Sequence, residues 1–264
     1  MKLALHAEWT KLRTLAGSRW LLLGTIASTV ALSAAASAAI HYSKPGAVGS
    51  PGALPDLTRI SLTGIQGGQL VVAILAVLLI AGEYGTGMIR TTLIAMPHRP
   101  TVLAAKAAIL SGAILVSGAI AVLASVWAGR LLLPSSGFNA ANGYGPLSLT
   151  DGPTLRAAVG SVLYLTLIGL LSLGIATLVR DSVTSVGVVL GLLYLFPIVI
   201  SAVTDPNWKR HLEQIAPMSA GLNIQRTVDL QSLALSPWAG LGVLAAWAAG
   251  ALLAAAAVLQ LRDA

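Results

Sequence analysis

Six stretches of this chain, residues 20–43, 60–82, 107–129, 157–179, 182–204 and 230–261, contain no Asp, Glu, Lys or Arg. Each has at least the roughly 20 residues that a helix needs to cross about 30 Å of hydrocarbon. Their Leu, Ala, Val and Gly content follows no period-two alternation, so they read as helices and not as barrel strands. Gly and Pro fit inside such helices because neighbouring helices re-satisfy the freed backbone groups. The last stretch is too long for one crossing. Pro237-Trp238 marks its start and leaves Leu230–Ser236 in the preceding loop. Only 9% of the 264 residues are charged, against roughly 25% in a soluble domain. That excludes an ordinary soluble enzyme and a disordered tail, and the absence of cysteine excludes a disulfide scaffold. The sequence therefore predicts an all-α integral membrane protein. It forms a single transmembrane domain over 1–264, with six transmembrane helices at about 20–41, 60–82, 107–129, 157–179, 182–204 and 238–260.

Six spans put both termini on one side. The segments on that side, 1–19, 83–106, 180–181 and 262–264, carry nine Lys or Arg in 48 residues, and the opposite loops carry seven in 71. The denser side faces the cytoplasm, so both termini are expected to be cytoplasmic in a multi-pass protein of the bacterial plasma membrane. The net charge of +7 then fixes orientation in the lipid bilayer, and no nucleic acid is expected as a partner. Ahead of the first span, Leu5, Trp9, Leu12 and Ala16 share one helical face, with Thr10, Lys11 and Thr14 on the other. Residues 3–18 read as an amphipathic interfacial helix, with Trp9, Lys11 and Arg13 at the headgroup layer and Trp20 as a second anchor. A signal peptide cleaved near Ala36-Ser37-Ala38 is the competing reading, but the leading stretch is too long and too structured for it.

No catalytic arrangement is legible. There is no Gly-Lys pair, hence no phosphate loop, and Gly240-Leu-Gly242-Val-Leu-Ala245 lies within an apolar span with no strand before it. The histidines at 6, 41, 98 and 211 fall in four separate segments, so no metal site is expected. No charge-free window holds an acid or base within the membrane, which counts against an ion-coupled transporter.

The informative segment is cytoplasmic, at 83–106. Glu83 ends the second span, Gly85 and Gly87 break the helix, and Thr86 is a candidate N-cap for a new one. Ile89, Leu93 and Met96 then share a face, and Pro97 and Pro100 close the turn before Lys106 opens the third span. This reads as a short helix crossing between two spans and offering apolar, Thr and Arg surface to a partner. A solvated loop bordered by a glutamate is the alternative.

The run Glu83-Tyr84-Gly85-Thr86-Gly87-Met88-Ile89-Arg90-Thr91-Thr92-Leu93, followed by Pro97-His98-Arg99 and Lys106, resembles the cytoplasmic coupling segment of type-2 ABC exporter permeases, the ABC-2 class. Gly87 and Met88 lengthen the usual Thr–Arg spacing by about one residue, and Pro100 is an additional proline. The opening Glu8-Trp9-Thr10-Lys11-Leu12-Arg13-Thr14 is similar to the amphipathic connecting helix of actinobacterial-looking members. Arg180-Asp181-Ser182, Pro237-Trp238 and Arg262-Asp263 also fit, so the resemblance extends over the whole chain.

The resemblance implies a permease subunit without its own ATPase site, binding no cofactor itself. ATP and Mg would sit on two copies of a separate ABC ATP-binding subunit, and a second permease, identical or paralogous, would complete the pore. The coupling residues would be Glu83, Tyr84, Gly85, Thr86, Met88, Ile89, Arg90, Leu93 and Arg99. The second and fifth spans would line the substrate path, which makes Gln66, Gln69, Thr184, Ser185, Tyr194 and Phe196 candidates to face it, or else to pack between helices. Gly187-x-x-x-Gly191 and Gly64-x-x-x-Gly68 permit close helix approach and are candidates for a dimer seam. Pro197 is expected to kink the fifth span. The external loop 205–236 contains a helix-like Trp208–Ile215 stretch and then Pro217-Met218-Ser219-Ala220-Gly221, which resembles the family's re-entrant loop. The expected function is ATP-driven export of a small amphipathic compound: a drug, natural product or antimicrobial peptide. The alternative is a membrane scaffold or sensor that partners an ATPase in antibiotic resistance or signalling.

Overall fold

Each charge-free run of the sequence is helical over most of its described residues, and several of these helices continue past the charges that bound them. The computed structural model of the chain describes residues 2–14, 16–41, 55–88, 91 and 99–261. Within these, α1 spans Lys2–Thr14, α2 Ala16–Ala39, α3 Leu57–Ser61, α4 Ile65–Gly85, α5 Arg99–Leu132 and α6 Gly152–Val179. The fifth crossing, Ser182–Ala202, is composite: α7 Ser182–Leu190, a π-helical turn Gly191–Leu195, and α8 Phe196–Ala202. Then come α9 Pro206–Ile215, α10 Pro217–Leu222 and α11 Pro237–Leu261. Six of these units are long and apolar enough to cross a membrane, and the described residues include no strand. The chain is an all-α, multi-pass membrane protein.

The core is built around α6, which packs against α4, α5 and α11. Its Tyr164, Leu165, Ile168 and Leu171 are essentially inaccessible. Lipid tails are as apolar as these side chains, so close packing and not water exclusion must hold the bundle together. Small residues supply it. On α2, Thr25, Thr29, Ser33 and Ser37 recur every fourth position and are all fully buried. Gly64 and Gly68 meet this stripe, where a Cβ on Gly64 would lie 1.9 Å from the Thr29 carbonyl oxygen and one on Gly68 2.1 Å from the Thr29 hydroxyl. The Gly64 N–H donates to Ser33 Oγ at 3.1 Å. This small-residue pair is therefore packed against α2 of the same chain. By contrast, a Cβ on Gly187 or Gly191 meets no atom within 4 Å.

Pro197 has no N–H to give the preceding turn, and the π-helical turn Gly191–Leu195 directly before it accommodates the loss. After the fifth crossing, α9 lies largely exposed, whereas α10 inserts into the bundle: Pro217, Met218, Ala220 and Gly221 are buried. Gly240 on α11 lets the Ala220 backbone approach to where a Cβ would be 2.1 Å from its carbonyl oxygen. The 205–236 segment is thus a two-helix insertion that turns back into the bundle, and Pro237 opens the last helix as the sequence indicated.

Candidate functional site

Two helix ends and the amphipathic helix meet at one end of the bundle. Glu83 lies in the last turn of α4, and Lys106 lies two turns inside α5 because that helix starts at Arg99 and not at residue 107. Glu83 and Lys106, read from the sequence as the borders of the second and third spans, are both buried within helices. They tolerate burial because each has counter-charges. Lys106 Nζ donates to Glu83 Oε1 at 2.6 Å and to Glu8 Oε2 at 2.8 Å. Lys11 Nζ donates to Glu83 Oε1 at 2.8 Å and to Glu8 Oε1 at 2.9 Å. Two cations and two anions thus form a closed, neutral ring of four contacts joining α1, α4 and α5. Lys106 is wholly inaccessible and the Glu8 side chain 2% exposed, while Lys11, at 26%, is the one member that reaches toward solvent. Burial opposes the Lys11 charge, but hydrogen bonds and attraction from Glu83 and Glu8 outweigh it and hold its pKa above the usual lysine value. Glu83 Oε2 is buried with no hydrogen-bond partner, so the ring retains one free acceptor.

This geometry changes the reading of α1. The face it buries is Ala4, Glu8 and Leu12, while Trp9 is exposed, so the Leu5–Trp9–Leu12 stripe is only partly the packed one. Lys11, assigned from periodicity to the outward polar side, turns inward to Glu83. Arg13 is exposed. Helical periodicity treats a carboxylate as polar and outward; Glu8 faces in because two lysines await it.

Of the expected coupling residues, Ile89, Arg90 and Leu93 lie outside the described residues. Thr86 is not an N-cap: it ends α4, its hydroxyl donating to the Gly82 carbonyl at 2.9 Å and its N–H bonding back into the last turn. Gly87 follows at φ +71°, a left-handed position that glycine adopts without penalty and that ends a helix. Gly85 and Met88 are exposed. Tyr84 is half-buried beneath the Arg180 guanidinium, whose carbon lies 5.4 Å from the ring centre, which ties the end of α4 to the turn between the fourth and fifth crossings. Arg99 Nη1 donates to the Leu259 carbonyl at 3.0 Å, fastening the start of α5 to the end of α11.

The six path candidates divide. Gln69 is wholly buried within the chain, accepting from the Tyr164 hydroxyl and donating to the Met218 sulfur at 3.5 Å; it knits α4, α6 and α10 and faces no open path. Ser185 is also buried, its hydroxyl donating to the Asp181 carbonyl at 2.5 Å, while Thr184 is exposed and its N–H is capped by Asp181 Oδ1 at 2.7 Å. The Tyr194 hydroxyl donates to the Gln66 carbonyl at 2.6 Å, joining the π-helical turn to the start of α4. Gln66 lines a crevice at the end of the bundle opposite the charged ring, and Phe196 lines a separate apolar groove beside Leu212. Sequence reasoning missed Glu8 as a buried ring member. Its position four residues from both Ala4 and Leu12, on one helical face, was the available signal. Among the described residues no three His, Cys, Asp or Glu side chains cluster as a metal site. No protein-family model matches the chain, and no curated protein matches it in sequence.

Proposed function

We propose that this chain is the membrane-embedded permease subunit of an ATP-driven exporter of the ABC-2 type, moving a small amphipathic compound across the bacterial plasma membrane. Two copies of a separate ATP-binding subunit would dock on the segment after α4 and on α1, and a second permease would complete the pathway. The observation that carries this reading is the ring of Glu8, Lys11, Glu83 and Lys106. It fastens the amphipathic helix, the root of the proposed docking segment and the start of a spanning helix into one unit. A partner that moves α1 or the segment after Gly85 would therefore move α4 and α5 with it. Nucleotide can shift such a unit only if the partner grips its two arrangements with different affinity. In this arrangement the resting protomer is held by internal pairs, and the exposed Met88 and Trp9 are surface for the partner.

The test is co-purification of the chain with its ATPase, followed by reconstitution with Arg90→Ala and Glu83→Ala variants. Export is expected to fall while ATP hydrolysis continues. Unchanged export in both variants would refute the coupling assignment, and ATP hydrolysis with no compound moved by the wild type would favour the sensor reading.

A further inference from the structure

At the end of the bundle opposite the charged ring, a cavity of about 420 Å³ opens between the start of α4, the end of the fifth crossing, and α9 with α10. Three cations from three separate elements enter it: Arg59 from α3, Lys209 from α9 and Arg226 after α10. Glu213 is the one carboxylate in its wall, which leaves an excess of two positive charges. Among the described residues none of the three cations forms an ion pair. Asp56, the acid near Arg59, is already occupied, accepting from the N–H groups of Arg59, Thr227 and Val228 and from the Thr227 hydroxyl. Arg156 Nη2 donates to the Arg226 carbonyl at 2.5 Å, which fixes the backbone from which the Arg226 side chain projects. Burial, and then the neighbouring Arg226 charge, hold the Arg59 pKa below its ordinary value, with the Asp56 carboxylate offsetting them in part.

The same cavity has an apolar wall of Pro197, Ile200 and Leu222 beside the hydroxyl and amide groups of Ser201, Ser219 and Asn223. We propose that this crevice is a binding site for the phosphate head group of an amphiphile, with Arg59, Arg226 and Lys209 holding the phosphate and the Pro197–Ile200 wall taking the attached chain. A phosphate monoester carries about −1.5 to −2 at pH 7, which the cationic excess of the wall attracts, and the planar guanidinium fork suits its oxygens. A polar pair of arginines beside an apolar wall fits a molecule that is itself half charged and half apolar. The site stands apart from the coupling reading, because binding is measured on the chain alone without ATP or partner.

The experiment titrates decyl phosphate into the full chain in neutral detergent and counts bound molecules by native mass spectrometry. One decyl phosphate per chain is expected, weakened about tenfold or more by Arg59→Gln or Arg226→Gln, as for loss of a charge-assisted contact. Glu213→Gln should tighten it, and Arg210→Gln, exposed and outside the cavity, should leave it unchanged. Inorganic phosphate competing as well as decyl phosphate would identify a free anion as the source. Competition by phosphatidylglycerol but not by inorganic phosphate would identify a bilayer lipid. The second outcome supports the amphiphile site, and the first would overturn the role of the apolar wall. Equal binding to the Arg59→Gln/Arg226→Gln double variant, or equal loss with Arg210→Gln, would overturn it. Should the glutamine variants fail to fold, the wild type still decides: decanol retained as well as decyl phosphate would overturn the site.

Discussion

Replacing Lys106 with methionine tests whether the charged ring holds α1 to the bundle. Methionine keeps the length and apolar stem of the lysine but removes the ammonium at the centre of the ring. Glu8 Oε2 then loses its contact at 2.8 Å, and Glu83 Oε1 loses the shortest of the four at 2.6 Å. Removing one partner from a fully buried pair costs about 3–5 kcal/mol, because the remaining charge stays buried and unpaired. Here the loss is softened, since Lys11 still reaches Glu8 Oε1 at 2.9 Å and Glu83 Oε1 at 2.8 Å. One cation must then serve two buried carboxylates, which places the expected cost near the lower end, about 3 kcal/mol. For a chain of this size that corresponds to about 6–12 °C in melting temperature, read by tryptophan fluorescence in mild detergent. The decisive step is the double variant. Adding Glu83→Gln to Lys106→Met leaves Lys11 and Glu8 as one balanced pair, so the double variant should melt above Lys106→Met alone. Glu83→Gln in the wild-type background should instead lower the melting temperature. Strictly additive losses, or a Lys106→Met variant within about 2 °C of wild type, would refute the ring as a single energetic unit.

Gly64→Ala should destabilise the chain by about 1–3 kcal/mol, since its Cβ would collide with the Thr29 carbonyl, while Gly187→Ala, with nothing within 4 Å, should leave the melting temperature of the isolated chain within about 2 °C. Tyr164→Phe should cost about 1–3 kcal/mol by leaving the buried Gln69 carbonyl without its donor; Tyr164→Phe combined with Gln69→Met should recover much of that loss, and a further drop would refute the pairing. Asp181 caps α7, and hydrogen bonds from Thr184 hold its pKa below 3.8. Its contribution is present above that value and is lost as pH falls through the depressed one, so the melting difference between wild type and Asp181→Ala should vanish on acidification and persist at pH 7.

The crossings were legible because lipid imposes a coarse rule, an uninterrupted apolar run long enough to span. That rule used charges as boundaries, which is why it cut α5 at residue 107 and hid Lys106 two turns inside the helix. It could not show that Glu8, Lys11, Glu83 and Lys106, separated by up to 98 positions in sequence, neutralise one another, because pairing depends on which helix faces which. The two glycine pairs make the same point. Gly64/Gly68 and Gly187/Gly191 have the same spacing, yet the first is packed tightly against Thr29 and Ser33 and the second is open. Spacing reports that close approach is permitted, and only the neighbouring helix decides whether it happens. Thr86 shows a third limit. A threonine beside two glycines suits either end of a helix, and the back-bond to Gly82 settled it as the end of α4.

Charge, and not apolar area, sets how α1 sits. Among its described side chains it buries Ala4, Glu8 and Leu12 deeply, too little surface to fix its rotation by packing alone, and buried ion pairs add little net stability compared with apolar residues of the same size. What they add is register: rotating α1 by one residue, about 100°, would break the Glu8–Lys106 and Lys11–Glu83 contacts together and leave each carboxylate with a single lysine. A contact of this kind resists gradual slippage and gives way as a unit. On the coupling reading proposed above, that is the property required of the joint, because a motor's movement reaches the spanning helices undiminished only through an element that does not yield in between.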